Sequence, residues 1–168
     1  MTVLTPAEMA QRLNIRGADA EAEIEATITE AQAHLELIVG PLEPAERTAL
    51  VSVNSSGVAT VPVWPVLSIT SGADSSGSAV DVSAVKIRTG GVLASCPSSL
   101  YSITYQAGRA SCPADLKAAL VELTRHLWQA RRSSKGGPGT QGDGQAPGYL
   151  IPNRVAALLE PHRLPGFA

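Results

Sequence analysis

The sequence predicts an α+β protein. It should have a helical core of two N-terminal helices and a long third helix, an inserted small antiparallel β module and an extended C-terminal arm. Apolar residues recur every three or four positions on either side of the middle of the chain, which is the helical period. Between those stretches Val, Ile, Thr and Ser dominate, and Gly, Asn and Pro interrupt them at short intervals, as in short strands. A Gly-rich stretch then sets the last residues apart.

These signals divide the chain into five parts. They are residues 1–46 with the N-terminal helices, 47–110 with the β module, 111–133 with the third core helix, 134–148 as a flexible Gly-rich linker, and 149–168 as a C-terminal docking arm. Gly, Pro and small polar residues dominate the linker, a composition typical of flexible tethers.

The first helix is predicted from its start signals. Thr5 is a suitable N-cap, and Pro6 fits the first helical position. Glu8 completes a capping box. The helix should end near Asn14.

The second helix is predicted from about Asp19 to Val39. Its apolar stripe steps by four, three, four and three through Ile24, Ile28, Ala31, Leu35 and Ile38. Glutamates fill its first half, where carboxylates favour the positive end of the helix dipole. Gly40-Pro41 is a stop signal.

The β module is predicted to begin with a hairpin. Residues 50–53 and 58–61 read as strands on either side of the turn Asn54-Ser55-Ser56-Gly57. Further strands are predicted at 66–70, at 85–88 and, as the last, at 101–105. Asp74 and Asp81 lie in a loop rich in Ser, where Asp typically stabilises turns.

The third core helix should start at Pro113-Ala114-Asp115. One predicted apolar stripe consists of Leu116, Leu120, Leu123 and Leu127, and a second face carries Val121 and Trp128. Two apolar faces indicate contact with more than one neighbour. Arg131, Arg132 and Lys135 gather at its C-terminal end, where they complement the dipole.

The arm is apolar again after the linker. Asn153 can cap a short helix carrying Val155, Leu158 and Leu159. Apolar residues beyond a tether usually have a docking site to fill, either on the same fold or on a partner.

The charge is unevenly distributed along the chain. The formal net charge is −2, but residues 1–50 carry −6 and residues 51–168 carry +4. This polarity suits head-to-tail association of copies or docking on a polar partner surface, or simply a solvated acidic helix beside a basic one. The low net charge and the scarcity of aromatic residues argue against a DNA-binding or base-stacking protein.

No signal for catalysis, a metal or a cofactor is found. The linker contains GxGxxG at Gly137, Gly139 and Gly142, but it follows a helix and includes Pro138, so a dinucleotide site is rejected. The three histidines lie on predicted helices or in the arm, without a catalytic pattern. Cys96 and Cys112 lack metal-ligand spacing and are expected to be reduced thiols. No apolar run is long enough to span a membrane, and the N-terminus has no secretory-signal pattern.

Four segments carry a resemblance to a known family: Cys112–Ala119 (CPADLKAA), Leu123–Trp128 (LTRHLW), Gly148–Arg154 (GYLIPNR) and Pro165–Ala168 (PGFA). Their order resembles the head–tail connector (adaptor) proteins of long-tailed, double-stranded-DNA bacteriophages, especially those infecting actinobacteria. The resemblance spans most of the chain, and the β region contributes little to it.

The resemblance implies a structural virion protein of the neck, made in the bacterial host cytoplasm. Family members form a ring, typically of twelve copies, beneath the portal protein, and a stopper or tail-terminator protein binds the opposite face. Genomic DNA passes through the lumen without sequence-specific binding. No membrane, cofactor or enzymatic activity is implied.

The resemblance also implies that the arm binds the portal. The residues assigned to this contact are Tyr149, Leu150, Ile151, Pro152, Arg154, Leu158, Leu159, Arg163 and Phe167. Arg154 and Arg163 are expected to meet acidic portal groups or neighbouring arms. Candidates for the subunit interface are Glu21, Glu25, Arg125, Trp128, Arg131 and Arg132.

Two questions stay open from the sequence. The acidic second helix either lines the lumen, where it repels DNA, or faces a neighbour's basic third helix. The alternatives to an adaptor are another neck protein such as the head-closure stopper, which is usually mostly β, and an unrelated enzyme or ligand-binding domain.

Overall fold

The computed structural model describes residues 3–15, 20–134 and 151–164. The chain divides into two compact units. We call Met1–Ile38 with Pro113–Arg163 the helical unit, and Val39–Cys112 with Leu164–Ala168 the β unit. Helices and antiparallel sheets together confirm the predicted α+β class.

The helices run as α1 (Pro6–Arg12), α2 (Glu21–Val39), α3 (Ala114–Ser134) and α4 (Asn153–Leu159). A single 3₁₀ turn, Glu160–His162, continues α4. The short helix predicted in the arm is present as α4. Val155 and Leu159 repeat at helical spacing and are buried, so an apolar face stabilises a helix there.

The Thr5 cap and the position of Pro6 predicted for the start of α1 are present. The Glu8 backbone N–H donates to Thr5 Oγ1 at 3.2 Å, and Pro6 occupies the first helical position. The Glu8 carboxylate turns to cations: Arg12 and Lys117 each lie 3.1 Å from one of its oxygens. Glu8 therefore links α1 to α3.

The predicted stripe of α2 is buried at Ile24, Ile28, Ala31 and Leu35. Its last member is Val39, while Ile38 is half-buried. Val39 lies four residues after Leu35, so it continues the same face more closely than Ile38 does.

In α3 the predicted second apolar face merges with the first. Leu116, Leu120 and Leu123 are buried as predicted, and Trp128 is buried with them. Leu127, predicted in the main stripe, is half-buried. Steps of four lead from Leu116 through Leu120 and Thr124 to Trp128, so one face contains them all.

Between residues 39 and 112, all of which the structure describes, the β unit contains seven strands. They are β1 (Ala45–Leu50), β2 (Ala59–Thr60), β3 (Val66–Ala73), β4 (Ala79–Val80), β5 (Lys86–Ile87), β6 (Val92–Ala94) and β7 (Ser102–Ala107). One antiparallel sheet has the order β1-β7-β3-β4 and the other the order β2-β6-β5. Ile103, Tyr105 and Ala107 of β7 point into the core and alternate with half-buried positions, a period-two pattern.

The predicted first hairpin is right in its turn and wrong in its pairing. The Asn54 N–H donates to Val58 O at 2.9 Å, which closes the turn. The strand before it is β1, which begins at Ala45 and pairs with β7 from Ala45↔Ala107 to Leu50↔Ser102. The strand after it, β2, pairs with β6 in the other sheet. The turn therefore marks a change of sheet.

The same turn occurs twice, at Asn54–Gly57 and Asp74–Gly77. Asn54 Oδ1 accepts from the backbone N–H groups two and four residues ahead, both at 2.9 Å. Asp74 Oδ1 accepts from the equivalent groups at 2.8 and 3.0 Å. The turn role predicted for Asp74 is confirmed.

The end of α2 is satisfied by a side chain that follows β7. Arg109 donates from Nη2 to Val39 O at 2.9 Å and from Nη1 to Pro41 O at 3.1 Å. The last carbonyls of a helix lack intrahelical donors, and a cation there also complements the dipole.

Candidate functional site

The arm packs on the first half of α3. Val155 and Leu159 of α4 are almost completely buried. Arg154 Nη1 lies 3.5 Å from Glu122 Oε1 at one end of this contact, and His162 Nε2 lies 2.6 Å from Asp115 Oδ2 at the other. Since residue numbers rise along the arm while they fall along α3, the two helices are antiparallel.

The N-terminal end of α3 gathers charges from three elements. Asp115 accepts from its neighbour Leu116 N–H at 2.9 Å and contacts His162. The His162 hydrogen bond is the main cause that lowers the pKa of Asp115. Two residues on, Lys117 pairs with Glu8, and its hydrogen bond is the main cause that lowers the pKa of that carboxyl. The arm and α1 are thus both attached near the start of α3.

The predicted arm residues fall into three groups. Leu159 is buried within its own chain, and Ile151, Pro152 and Leu158 are half-buried. Arg154 and Arg163 are exposed, and both have carboxylate partners within the arm contact or the arm itself, Glu122 and Glu160. The remaining three, Tyr149, Leu150 and Phe167, lie outside the described residues.

One detail of the arm prediction is wrong. Asn153 was expected to cap α4, but the N-cap is Pro152, which makes no side-chain cap hydrogen bond. Pro152 has an extended backbone, and its carbonyl accepts from the Ala156 N–H at 3.0 Å. The N-cap of α4 is therefore one residue earlier than predicted.

The interface candidates on α3 lie partly within the chain. Arg131 donates to Thr27 Oγ1 at 2.9 Å and pairs with Glu30, both on α2. Trp128 is buried, and the guanidinium carbon of Arg132 lies 5.4 Å from its ring centroid. The predicted meeting of an acidic second helix with a basic third helix thus occurs inside one chain at Arg131.

The other interface candidates are exposed. Glu21 and Glu25 lie on the solvent side of α2, and Arg125 lies on the solvent side of α3. Near the C-terminal end of α2, Leu37 is 80% exposed.

The sequence did not indicate the two polar contacts that hold the arm. His162 was interpreted as a histidine without a catalytic pattern, and Asp115 only as part of the start of the third helix. Their contact joins residues 47 positions apart. The only available signal was charge complementarity between the arm and α3, which does not specify which residues meet.

Within the described ranges, no group of three or more His, Cys, Asp or Glu side chains could hold a metal ion. No helix in that part of the chain is both long and apolar enough to cross a membrane. Cys96 and Cys112 are not joined by a disulfide, and burial raises the pKa of the Cys96 thiol.

Two comparisons with known proteins found similar proteins. The family model for the head completion protein matches residues 2–164. A chain in the structure titled "Virion of native gene transfer agent (GTA) particle" has a TM-score of 0.70 and 20% identity, with 99% of this chain and 92% of that chain covered. A chain in "Neck of empty GTA particle computed with C6 symmetry" gives 0.69 and 20% over the same shares. Curated proteins give no match.

Proposed function

Because the chain belongs to the head completion protein family, we propose that it is a head–tail connector (adaptor) that joins the DNA-filled capsid to the tail. The family is a structural one and not a class of enzymes. The chain's membership of this family confirms the family-level resemblance found in the sequence. The family match over residues 2–164 is the observation that carries the proposal.

In this proposal the chain forms a ring, typically of twelve copies, beneath the portal in the neck of the virion. A stopper or tail-terminator protein binds the opposite face, and the genome passes through the lumen without sequence-specific contacts. Leu37 of α2 supports contact between copies, because this apolar side chain has most of its surface in water.

The portal contact is assigned to the outer side of the arm. Val155 and Leu159 are committed to α3, so they hold α4 rather than reach outward. Arg154 and Arg163 expose 75% and 65% of their side chains and stand on either side of half-buried Leu158 in the sequence. An apolar side chain flanked by arginines suits an acidic partner surface with an apolar centre.

Co-purification with the portal of the same phage tests this assignment. We would compare the full chain, a chain stopped after Arg163, which keeps α4, and a chain stopped after Ser134. The full chain should bind, and the chain without α4 should not. Removal of α4 uncovers apolar surface on α3, so circular dichroism must check that the shortest chain is folded. We expect it to retain its other helices.

Each other outcome has its own meaning. Binding by all three chains would keep the adaptor but move the portal contact to the body. Binding by the full chain alone would assign the contact to residues after Arg163. If no chain binds, the adaptor proposal fails and the stopper becomes the next candidate.

A further inference from the structure

The arm returns to α3 far from the point where α3 ends. Arg154 meets Glu122, and twelve residues of α3 separate Glu122 from Ser134. At 1.5 Å per residue, this is about 18 Å of helix. The connection between Ser134 and Asn153 consists of residues 135–152. Eighteen residues at about 3.4 Å each can reach about 60 Å, roughly three times the distance required.

The contact between α3 and α4 combines buried apolar side chains with a polar pair at each end. Val155 and Leu159 supply its buried apolar side chains, and Arg154–Glu122 and His162–Asp115 supply a polar pair at each end. All of these groups belong to α3, α4 or the turn after α4. The same contact therefore forms with equal complementarity when α4 comes from another copy, and only the tether decides which copy provides it.

We propose that the α3 surface covered by α4 is an exchange site, which α4 of a neighbouring copy occupies in the assembled protein. In a ring each copy gives one α4 and receives one, so the exchange closes without leaving an uncovered site. The inference rests on the proposed function only in requiring neighbouring copies.

The reach of the connection is what favours a second copy as the occupant. Connections between antiparallel helices usually have two to eight residues. A tether of minimal length would hold α4 on its own α3, whereas this one allows α4 to leave. Once neighbours are adjacent, the effective concentration of a foreign α4 becomes comparable to that of the chain's own α4.

Paired cysteines test the exchange directly. The chain would carry Cys96→Ser and Cys112→Ser together with Glu122→Cys and Arg154→Cys, and the assembled protein would be treated with a short bis-maleimide. Exchange predicts a ladder of covalent multimers on a denaturing gel, up to the size of the ring. Docking within each chain predicts only a monomer with an internal link. The two single-cysteine variants are matched controls, because they cannot link beyond a dimer.

Native mass spectrometry of the same samples separates the exchange from the proposed function. A ring that yields only internal links overturns the exchange and leaves the adaptor intact. A chain that stays monomeric alone and with the portal overturns both.

A shortened tether provides a second test. Deletion of residues 137–144 leaves ten residues, which reach about 34 Å and still allow docking on the same chain. The ladder should give way to the internal link. Replacement of the same eight residues by Gly and Ser keeps the length and should keep the ladder. A full ladder from the shortened chain would contradict the argument from reach.

Discussion

The helical unit and the β unit differ in the polar contacts that stabilise each of them internally. In the helical unit, charged pairs join separate helices: Glu8–Lys117 joins α1 to α3, Glu30–Arg131 joins α2 to α3, and Glu122–Arg154 joins α3 to α4. In the β unit, the side chains of the two turns bond to backbone only two to four residues ahead, and Arg109 donates to backbone carbonyls 68 and 70 residues away.

This difference suggests different roles for the two units. Partly exposed ion pairs contribute little stability each and weaken with salt, so the helical unit can exchange contacts at small cost. Turns held by backbone hydrogen bonds and glycine geometry have no alternative partner. We therefore expect the β unit to be a fixed scaffold and α4 to be the removable part. Trp64 in the β unit and Trp128 in the helical unit report on the two units separately when the other is replaced by Phe.

Gly108→Ala should have the largest effect, confined to the β unit. Gly108 has φ +118°, and a Cβ there would lie 2.1 Å from Glu43 O. We expect a loss of about 3 kcal/mol or more in the free energy of unfolding. Urea titration of the Trp64 fluorescence measures it. Gly77→Ala is the control, since φ is +86° with no atom within 4 Å and only about 1 kcal/mol should be lost. Equal effects would contradict the close approach.

Leu159→Ala should release α4 and spare the β unit. The side chain is 2% exposed, so its truncation should cost about 2–3 kcal/mol of docking free energy. Hydrogen exchange of the α4 amides should become faster, while the amides of β7 keep their protection. Leu158→Ala, at a half-buried position, is the matched control with a smaller effect. Loss of protection in both units would show that the arm is part of one cooperative core.

Arg109→Ala should weaken the β unit by about 2 kcal/mol, because two backbone carbonyls lose a charged donor. Urea titration of the Trp64 signal measures the loss. Arg109→Lys keeps the charge but cannot reach both carbonyls with a planar fork, and should fall between the two. An Ala variant as stable as the parent would show that water replaces the guanidinium there.

Acid should loosen the arm with the smallest effect of the four. The lowered pKa of Asp115 means that its contact with His162 stabilises docked α4 above the ordinary carboxyl pKa near 4. That stability disappears as pH falls through the lowered, folded-state pKa. The amide chemical shifts of Val155 and Leu159 should therefore change below about pH 4. Asp115→Asn should remove this transition, and its persistence would assign it to another carboxylate.

The β unit offers an internal comparison for the same titration. The hydrogen bond from the Ser76 side chain is the main cause that lowers the pKa of Asp74, and backbone N–H groups lower it further. The turn that Asp74 stabilises should therefore also weaken in acid. Asn54 holds the equivalent turn without a titrating group. Amide shifts at Ser76 should therefore respond to acid, while those at Ser56 should not.

Local signals in the sequence predicted local structure well. The Thr5 cap, the α2 stripe from Ile24 to Leu35 and the Asp74 turn depend on residues a few positions apart, and all are present. The pairing of β1 with β7 was missed because it joins residues more than fifty positions apart, and alternation along one strand does not specify its partner.

The candidate site was predictable in composition and not in arrangement. The apolar residues of the arm indicated docking, and Val155 and Leu159 do pack. That they pack on the first half of α3 was not predictable, because the polar partners there, Glu122 and Asp115, carry charges that are unremarkable in a helix. The pairing of α4 with α3 could not be predicted from the sequence, because the length of the tether permits many positions for α4.

Negative-stain images of the purified portal, with and without the full chain, test the central claim most directly. The adaptor proposal predicts an added collar on one face of the portal in the presence of the chain, with a central opening. Portal particles that look the same in both samples, at concentrations where the chain is folded by circular dichroism, would contradict it.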